Sequence, residues 1–172
     1  AGSKNTYCPF CNPALWVTKF QADDTMEWEA VYQDPDLVGI PNVDMGSRIT
    51  PAGDGGYIIG GRWRFLGRVT HESDFAMLKI DSAGEIVRLR VFQGGGFEDR
   101  TTGLVATDDG GFILAGAGTR ECSSCSPATA SPTASFTIVR TDADLEVAQG
   151  CGRDTEHVRH PMESIPVPMA LE

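Results

Sequence analysis

The chain has 172 residues, enough for one domain with its own core, and a formal net charge of −10. A chain this acidic is repelled by nucleic-acid phosphates and by anionic lipid, which argues against both as partners. With 41% hydrophobic and 22% charged residues its composition is that of a folded protein, and no apolar run approaches the about 18 residues of a membrane helix. Because the chain begins at Ala1 and not at methionine, we expect a processed product or a piece of something longer.

Residues 1–12 form a predicted N-terminal arm that carries the pair Cys8 and Cys11. The same C-x-x-C spacing returns at Cys122 and Cys125, next to the Ser/Thr/Pro-rich stretch "SPATASPTAS". This spacing favours small disulfides that staple the arm and the loop, while a tetrahedral Cys₄ zinc site, a cross-link between the two pairs and free thiols stay open as alternatives. No helix pattern follows the first pair and no histidine follows either, which argues against a thioredoxin-like redox motif and against c-type haem attachment.

Residues 13–33 contain half of a repeated unit. The stretch from Val17, "VTKFQADDTMEWEAVYQ", resembles "MLKIDSAGEIVRLRVFQ", from Met77, at an offset of 60 positions. Apolar and aromatic positions coincide in the two stretches, and Lys19 meets Lys79. Alternating apolar residues on both sides of a turn predict two antiparallel strands.

Residues 47–93 contain one whole unit, and residues 102–148 contain another that is nearly whole. Each unit reads as four short strands joined by tight turns, because "DGGYIIGG" from Asp54 returns as "DGGFILAG" from Asp109 at an offset of 55 positions. The Asp-Gly-Gly step tolerates the positive φ that a two-residue hairpin needs. The residues assigned to these structural turns are Asp54, Gly55, Gly56, Asp109, Gly110 and Gly111.

Repetition of sequence follows here from repetition of environment. One four-stranded sheet cannot bury both of its faces, so it must stack on neighbours like itself, and each neighbour then needs the same apolar positions. Residues 13–152 therefore predict an all-β fold of β-propeller-like, four-stranded antiparallel blades. Residues 153–172 match no repeat and contain His157, His160 and several prolines, which predicts an irregular C-terminal tail that runs over a partner's surface.

Residues 16–150 resemble the blade repeat of secreted β-propeller proteins of bacteria and archaea. The matching positions, in the order of that repeat, are Asp54, Gly55, Gly56, Asp74, Phe75, Lys79, Asp81, Gly84, Phe92, Gly94, Gly95 and Asp99. The resemblance implies that these residues are structural, and it implies an extracytoplasmic location, which means periplasmic, secreted or on the cell surface. The linker 34–45 departs from the repeat, and so does the tail.

The repeats amount to about two and a half blades, whereas propellers usually close with about four to eight. Such a stack keeps open faces and edges. It is completed by further blades of a longer chain, by copies of itself in a ring, or by a different protein subunit. All three arrangements predict that the chain is not a free monomer, and that its partners are other protein subunits or further blades.

No catalytic constellation is recognisable, because G-x-S-x-G, P-loop and dinucleotide-binding patterns are missing from the sequence. Acidic pairs such as Asp23-Asp24 and Asp108-Asp109 lack the ligand spacing of a calcium loop. We therefore expect no cofactor, with zinc or calcium as the minor alternatives. The predicted function is a non-enzymatic protein-interaction or scaffolding module; the alternative is part of a quinoprotein-like or metal-containing redox complex whose active centre lies outside this chain.

Overall fold

The computed structural model describes residues 2–4, 14–33, 48–64, 73–92, 99–120, 133–147 and 163–166, and in these ranges the chain forms strands and turns without a helix. The predicted all-β class is confirmed. No helix among these residues is long and apolar enough to cross a membrane. The strands are β1 (Gly2–Lys4), β2 (Ala14–Phe20), β3 (Met26–Gln33), β4 (Arg48–Pro51), β5 (Tyr57–Arg64), β6 (Ser73–Ile80), β7 (Ile86–Phe92), β8 (Asp99–Ala106), β9 (Phe112–Arg120), β10 (Thr133–Thr141) and β11 (Glu163–Pro166).

The strands form three antiparallel sheets, and none of them closes on itself. The central sheet has the strand order β4-β5-β6-β7, so the four-stranded meander predicted for residues 47–93 is confirmed. The last sheet contains β8, β9 and β10, and a single bridge between Thr141 and Val147 continues the chain beyond β10. The first sheet is built around the β2–β3 hairpin, with β1 and β11 along its two edges.

The two edge strands of the first sheet come from the segments predicted as the N-terminal arm and the C-terminal tail. In the arm, Gly2–Lys4 pairs with β2, and in the tail, Glu163–Pro166 pairs with β3. Local sequence did not reveal these strands because each is only three or four residues long. An open sheet edge offers unpaired N–H and C=O groups, and a short extended segment from elsewhere in the chain satisfies them.

The hairpin loops that join β4 to β5 and β8 to β9 are one residue longer than predicted. Gly55 donates its N–H to the carbonyl of Ala52 at 3.1 Å, and the N–H of Ala52 is 2.9 Å from the carbonyl of Gly56. These two bonds enclose three residues, in which a tight turn is followed by one residue at positive φ. Gly55 has a φ of 88° and Gly110, its counterpart, a φ of 85°. The first glycine of each Asp-Gly-Gly step therefore provides the left-handed residue.

The loops that follow β2, β6 and β10 have the same hydrogen-bond pattern but not the same sequence. The residue with positive φ is Asp24 in the first sheet, Gly84 in the central sheet and Leu145 in the last sheet. In the last two loops the carboxylate of Asp81 or Asp142 accepts two backbone N–H groups at 2.9 Å. A side chain that fixes the loop in this way explains how a leucine is held in a conformation that normally favours glycine.

The hydrophobic core lies on both faces of the central sheet. One face packs against the first sheet. The buried residues that the two sheets contribute to this contact are Leu15, Val17, Ala30, Tyr32, Ile59, Trp63, Ala76, Leu78 and Ile80. The other face packs against the last sheet. The buried residues that the two sheets contribute to this second contact are Ala52, Ile58, Phe75, Met77, Phe92, Phe112, Leu114 and Leu145. Every residue of β6 is consequently buried. The three sheets form consecutive layers, with the central sheet enclosed by the other two.

Gly116 of β9 lies against Phe75 of β6, with no space for a side chain. A Cβ atom at this position would lie 2.3 Å from Cε1 of Phe75 and 2.4 Å from the carbonyl oxygen of Arg100. We expect Gly116→Ala to lower the free energy of unfolding by about 1–3 kcal/mol, because the backbone carbonyl cannot move away as a flexible side chain can. Urea denaturation followed by circular dichroism measures this change.

Gly103→Ala is the matched control. A Cβ atom at Gly103 would meet only the Cβ of Ala115, at the ordinary contact distance of 3.8 Å. Its unfolding free energy should stay within about 0.5 kcal/mol of the wild-type value. Equal losses in the two variants would show that the approach at Gly116 is not tight.

Candidate functional site

The contacts between neighbouring sheets repeat along the chain and form the candidate site. We call the contact between the first and central sheets the first junction, and the contact between the central and last sheets the second junction. A residue of the first sheet and the residue 60 positions later, in the central sheet, occupy the same place in the repeat. From β6 and the loop after it to β10 and the loop after it, the corresponding offset is 61 positions. The same places can therefore be compared in both junctions.

At the first junction β3 of the first sheet covers the loop 81–85 of the central sheet. Trp28 donates its indole N–H to the carbonyl of Ser82 at 2.9 Å, and its ring would lie 3.2 Å from a Cβ atom at Gly84. The buried Tyr32 hydroxyl donates to the carbonyl of Gly84 at 2.6 Å. Burial raises the pKa of Tyr32, with the charges of Glu85 and Asp81 adding to the effect, so the phenol stays protonated and keeps its donor.

At the second junction the same places hold different residues. Phe92 stands in the place of Tyr32, Arg88 in that of Trp28, and Leu145 in that of Gly84. Phe92 and Leu145 belong to one buried cluster. Where the first junction places an indole over a glycine, the second places a leucine at positive φ into the core. Both junctions are filled, although by opposite distributions of large and small side chains.

Two arginines of β7 complete the second junction. The guanidinium groups of Arg88 and Arg90 both form ion pairs with the carboxylate of Glu146, one to each oxygen. Arg90 also donates to the carbonyl of Leu145 at 3.4 Å. The alternation of β7 predicts one buried and one wet face, but the face with the arginines is directed at a loop of the last sheet. Sequence reasoning missed this charged contact, since an arginine that alternates with apolar residues usually marks solvent.

Basic residues near the ends of β6 and β10 contact the loops. Lys79, which is buried, forms an ion pair with Asp54 at 2.8 Å within its own sheet and donates to the carbonyl of Ala143 in the last sheet at 3.1 Å. Arg140 occupies the same place in the last sheet and pairs with Asp109 at 2.6 Å. Lys79 thus joins a hairpin loop of one sheet to a loop of the following sheet.

The predicted turn residues lie in these loops, and their carboxylates are engaged there. The pKa of Asp54 is held below its ordinary value by the hydrogen bond from Lys79, and further by the N–H of Gly56. The pKa of Asp109 is lowered first by the hydroxyl of Thr107 and then by the N–H of Gly111 and by Arg140. The pKa of Asp23 is lowered by the hydroxyl and the N–H of Thr25. These acids stabilise the loops in which they lie, and only the Asp54 loop is connected to the next sheet, through Lys79.

The remaining predicted site residues lie outside the described ranges. These are Cys8, Cys11, Cys122 and Cys125, the disulfide and metal candidates. Within the ranges that are described, no group of three or more His, Cys, Asp or Glu side chains is arranged to hold a metal ion. The geometry therefore brings together the residues of the junctions and says nothing of the cysteine pairs.

Comparison of the chain with models of protein families, with curated proteins and with solved structures finds no match.

The hydroxyl of Tyr32 offers a direct test of the first junction. We expect Tyr32→Phe to lower the free energy of unfolding by about 1 kcal/mol, because the ring fits, as Phe92 does in the equivalent place, while a buried hydrogen bond is lost. The slope of the urea dependence should not change, since the same surface is buried. Unchanged stability would contradict the role of this hydrogen bond.

The Asp54–Lys79 pair predicts a pH dependence. Because the pKa of Asp54 is lowered in the folded state, its contribution to stability is present above its ordinary value of 3.8 and is lost as the pH falls through the lower folded value. We expect Asp54→Asn to be less stable than wild type at pH 7, and the difference to shrink below about pH 4. Asp108→Asn removes one exposed charge from the corresponding loop and is the control; an equal pH dependence in both variants would contradict the prediction.

Proposed function

We propose that this chain is a non-enzymatic protein-interaction or scaffolding module, built from β-propeller blades and working as part of a larger extracytoplasmic assembly. The observation that carries the proposal is the difference between two equivalent surfaces. The central sheet presents Phe75 and Met77 to the last sheet, and they are 1% and 0% exposed. The last sheet carries Phe136 and Ile138 in the same places, and they are 69% and 62% exposed.

The exposed pair is placed to receive another sheet. Phe136 and Ile138 lie two residues apart on one face of β10. The opposite face of β10 carries Val139, which packs in the second junction, so Phe136 and Ile138 face away from the central sheet. Burial of an aromatic or branched aliphatic side chain contributes about 1.5–3 kcal/mol. Two such residues left in water at places that are covered elsewhere in the same molecule favour an interaction surface.

The stack supports the propeller blade as the unit of this module. The central sheet is a four-stranded meander that is covered on both faces, and the same hairpin loops recur in the last sheet. Three consecutive sheets are fewer than the about four to eight of a closed propeller. A blade array of this size performs its function by contact with further sheets or subunits.

Charged side chains of the described ranges serve the same structural purpose. Lys79, Arg88 and Arg90 connect the central sheet to loops of the last sheet. The acids of the hairpin loops accept backbone N–H groups. The extracytoplasmic location rests on the resemblance to secreted propellers and on the two C-x-x-C pairs, which suit an oxidising compartment.

Photo-crosslinking at the exposed pair tests the proposal. A photoreactive amino acid is placed at Phe136 in the full chain, expressed in its natural source, and adducts are identified by mass spectrometry. We expect position 136 to form a covalent adduct with a protein in high yield, because that position is covered in the assembly.

Val87, an exposed residue on β7, is the matched control position and should give little adduct. A different protein in the adduct supports a scaffold that recruits another subunit, and a second copy of the chain supports assembly of blades. Equal, low yields at both positions would contradict the proposal.

A further inference from the structure

Both ends of the stack expose apolar side chains at places that are buried in the central sheet. We define the last-sheet face by Phe136, Ile138 and Arg140. The first-sheet face is defined by Phe20, Met26 and the loop 21–25. Phe20 is 59% exposed and Met26 41% exposed.

The first-sheet face has its counterpart in the central sheet. Phe20 and Met26 are paired across the β2–β3 hairpin, as Ile80 and Ile86 are across β6 and β7. Ile80 is fully buried and Ile86 packs beside it, because the first sheet covers them. Within the described residues no sheet precedes that of Phe20 and Met26, and none follows that of Phe136 and Ile138, so the two pairs are exposed at opposite ends of the stack.

The first sheet also carries a glycine at the register position that an aromatic ring approaches in the second junction. At the second junction Phe75 approaches Gly116, which is paired with Thr137. The corresponding register position in the first sheet is opposite Trp16, and it is occupied by Gly2 of β1. A glycine thus stands where the ring of an incoming Phe136 would approach, as Gly116 stands where Phe75 does.

Charge is complementary between the two faces as well. Arg140 has the same place in the last sheet as Lys79 has in the central sheet. Lys79 donates from there to the carbonyl of Ala143, in the loop that follows β10. The equivalent loop of the first sheet is 21–25, which is exposed and carries Asp23 and Asp24. The basic group of the last-sheet face would meet acids and a loop carbonyl on the first-sheet face.

From these four correspondences we propose that two copies of this chain associate head to tail, the last-sheet face of each copy docking on the first-sheet face of the other. The contact is heterologous, and two of them close a ring. Two copies of three sheets supply six, within the range of closed propellers. This inference rests on the blade module of the proposed function and names its partner as a second copy.

Light scattering coupled to size-exclusion chromatography, with sedimentation velocity over a concentration series, tests the proposal on the purified full chain. We expect the mass of two chains. Phe136→Asp should weaken association by about thirtyfold or more, since it places a charge at the centre of the contact. Val87→Asp is the matched control, and it should leave the dimer intact. Phe136→Ser serves the same purpose if circular dichroism shows that the aspartate variant does not fold.

A mixing experiment tests the head-to-tail direction. Phe20→Asp disables the first-sheet face, as Phe136→Asp disables the last-sheet face, so each variant alone should be monomeric. An equimolar mixture retains one intact contact, between Phe136 of the Phe20→Asp variant and Phe20 of the Phe136→Asp variant. The mixture should therefore form a one-to-one dimer. A dimer that survives in either variant alone, or a mixture that stays monomeric, would overturn the proposal.

A wild-type chain that is monomeric at all concentrations would also overturn self-association. The proposed function would still stand if photo-crosslinking at position 136 identified a different protein. If neither a dimer nor an adduct formed, both proposals would fail. The two experiments therefore separate the choice of partner from the existence of an interaction surface.

Discussion

The structure depends on the coverage of both faces of a β-sheet. Along β6, neighbouring side chains point alternately to opposite faces, and all of them are buried. Such a strand is soluble only between two other layers, which the first and last sheets provide. Each of those sheets is covered by the central sheet on one face only. The requirement that creates the core of the stack therefore also creates an exposed face at each of its ends.

The two junctions solve the same packing problem with different residues. At the first junction Gly84 is small, and Trp28 and Tyr32 fill the space above it. At the second, Leu145 fills that space from the opposite side and accepts a left-handed conformation that costs about 1–2 kcal/mol. Full burial of a leucine side chain contributes about 1.5–3 kcal/mol, which offsets the strain. The space beside the loop is therefore occupied from the preceding sheet at the first junction and from the loop itself at the second.

Local pattern made the strands β2 to β10 and the repeat predictable, because these strands carry apolar alternation and the hairpins β4–β5 and β8–β9 each contain an Asp-Gly-Gly step. The loop geometry was predictable only in part: both glycines suggested two residues at positive φ, whereas Gly55 alone has it and Gly56 lies where a Cβ atom would meet the carbonyl of Ile80 at 2.2 Å. The contacts of Arg88 and Arg90 with Glu146 join residues more than fifty positions apart. No local pattern contains the identity of such a partner, and the same holds for β11 on β3.

Direction is the property that the stack gains from using one unit repeatedly. In each unit the third strand presents one set of residues forward, as Phe75 and Met77 are presented to the last sheet, and another backward, as Ala76 and Leu78 are to the first. The two faces of one sheet therefore differ in shape and in charge. Two identical last-sheet faces brought together would place one Arg140 from each copy in the same contact, whereas the first-sheet face offers Asp23 and Asp24. Contact of a forward face with a backward face is the arrangement that the molecule already has at both junctions, and this asymmetry favours addition of sheets in one direction over pairing of like ends.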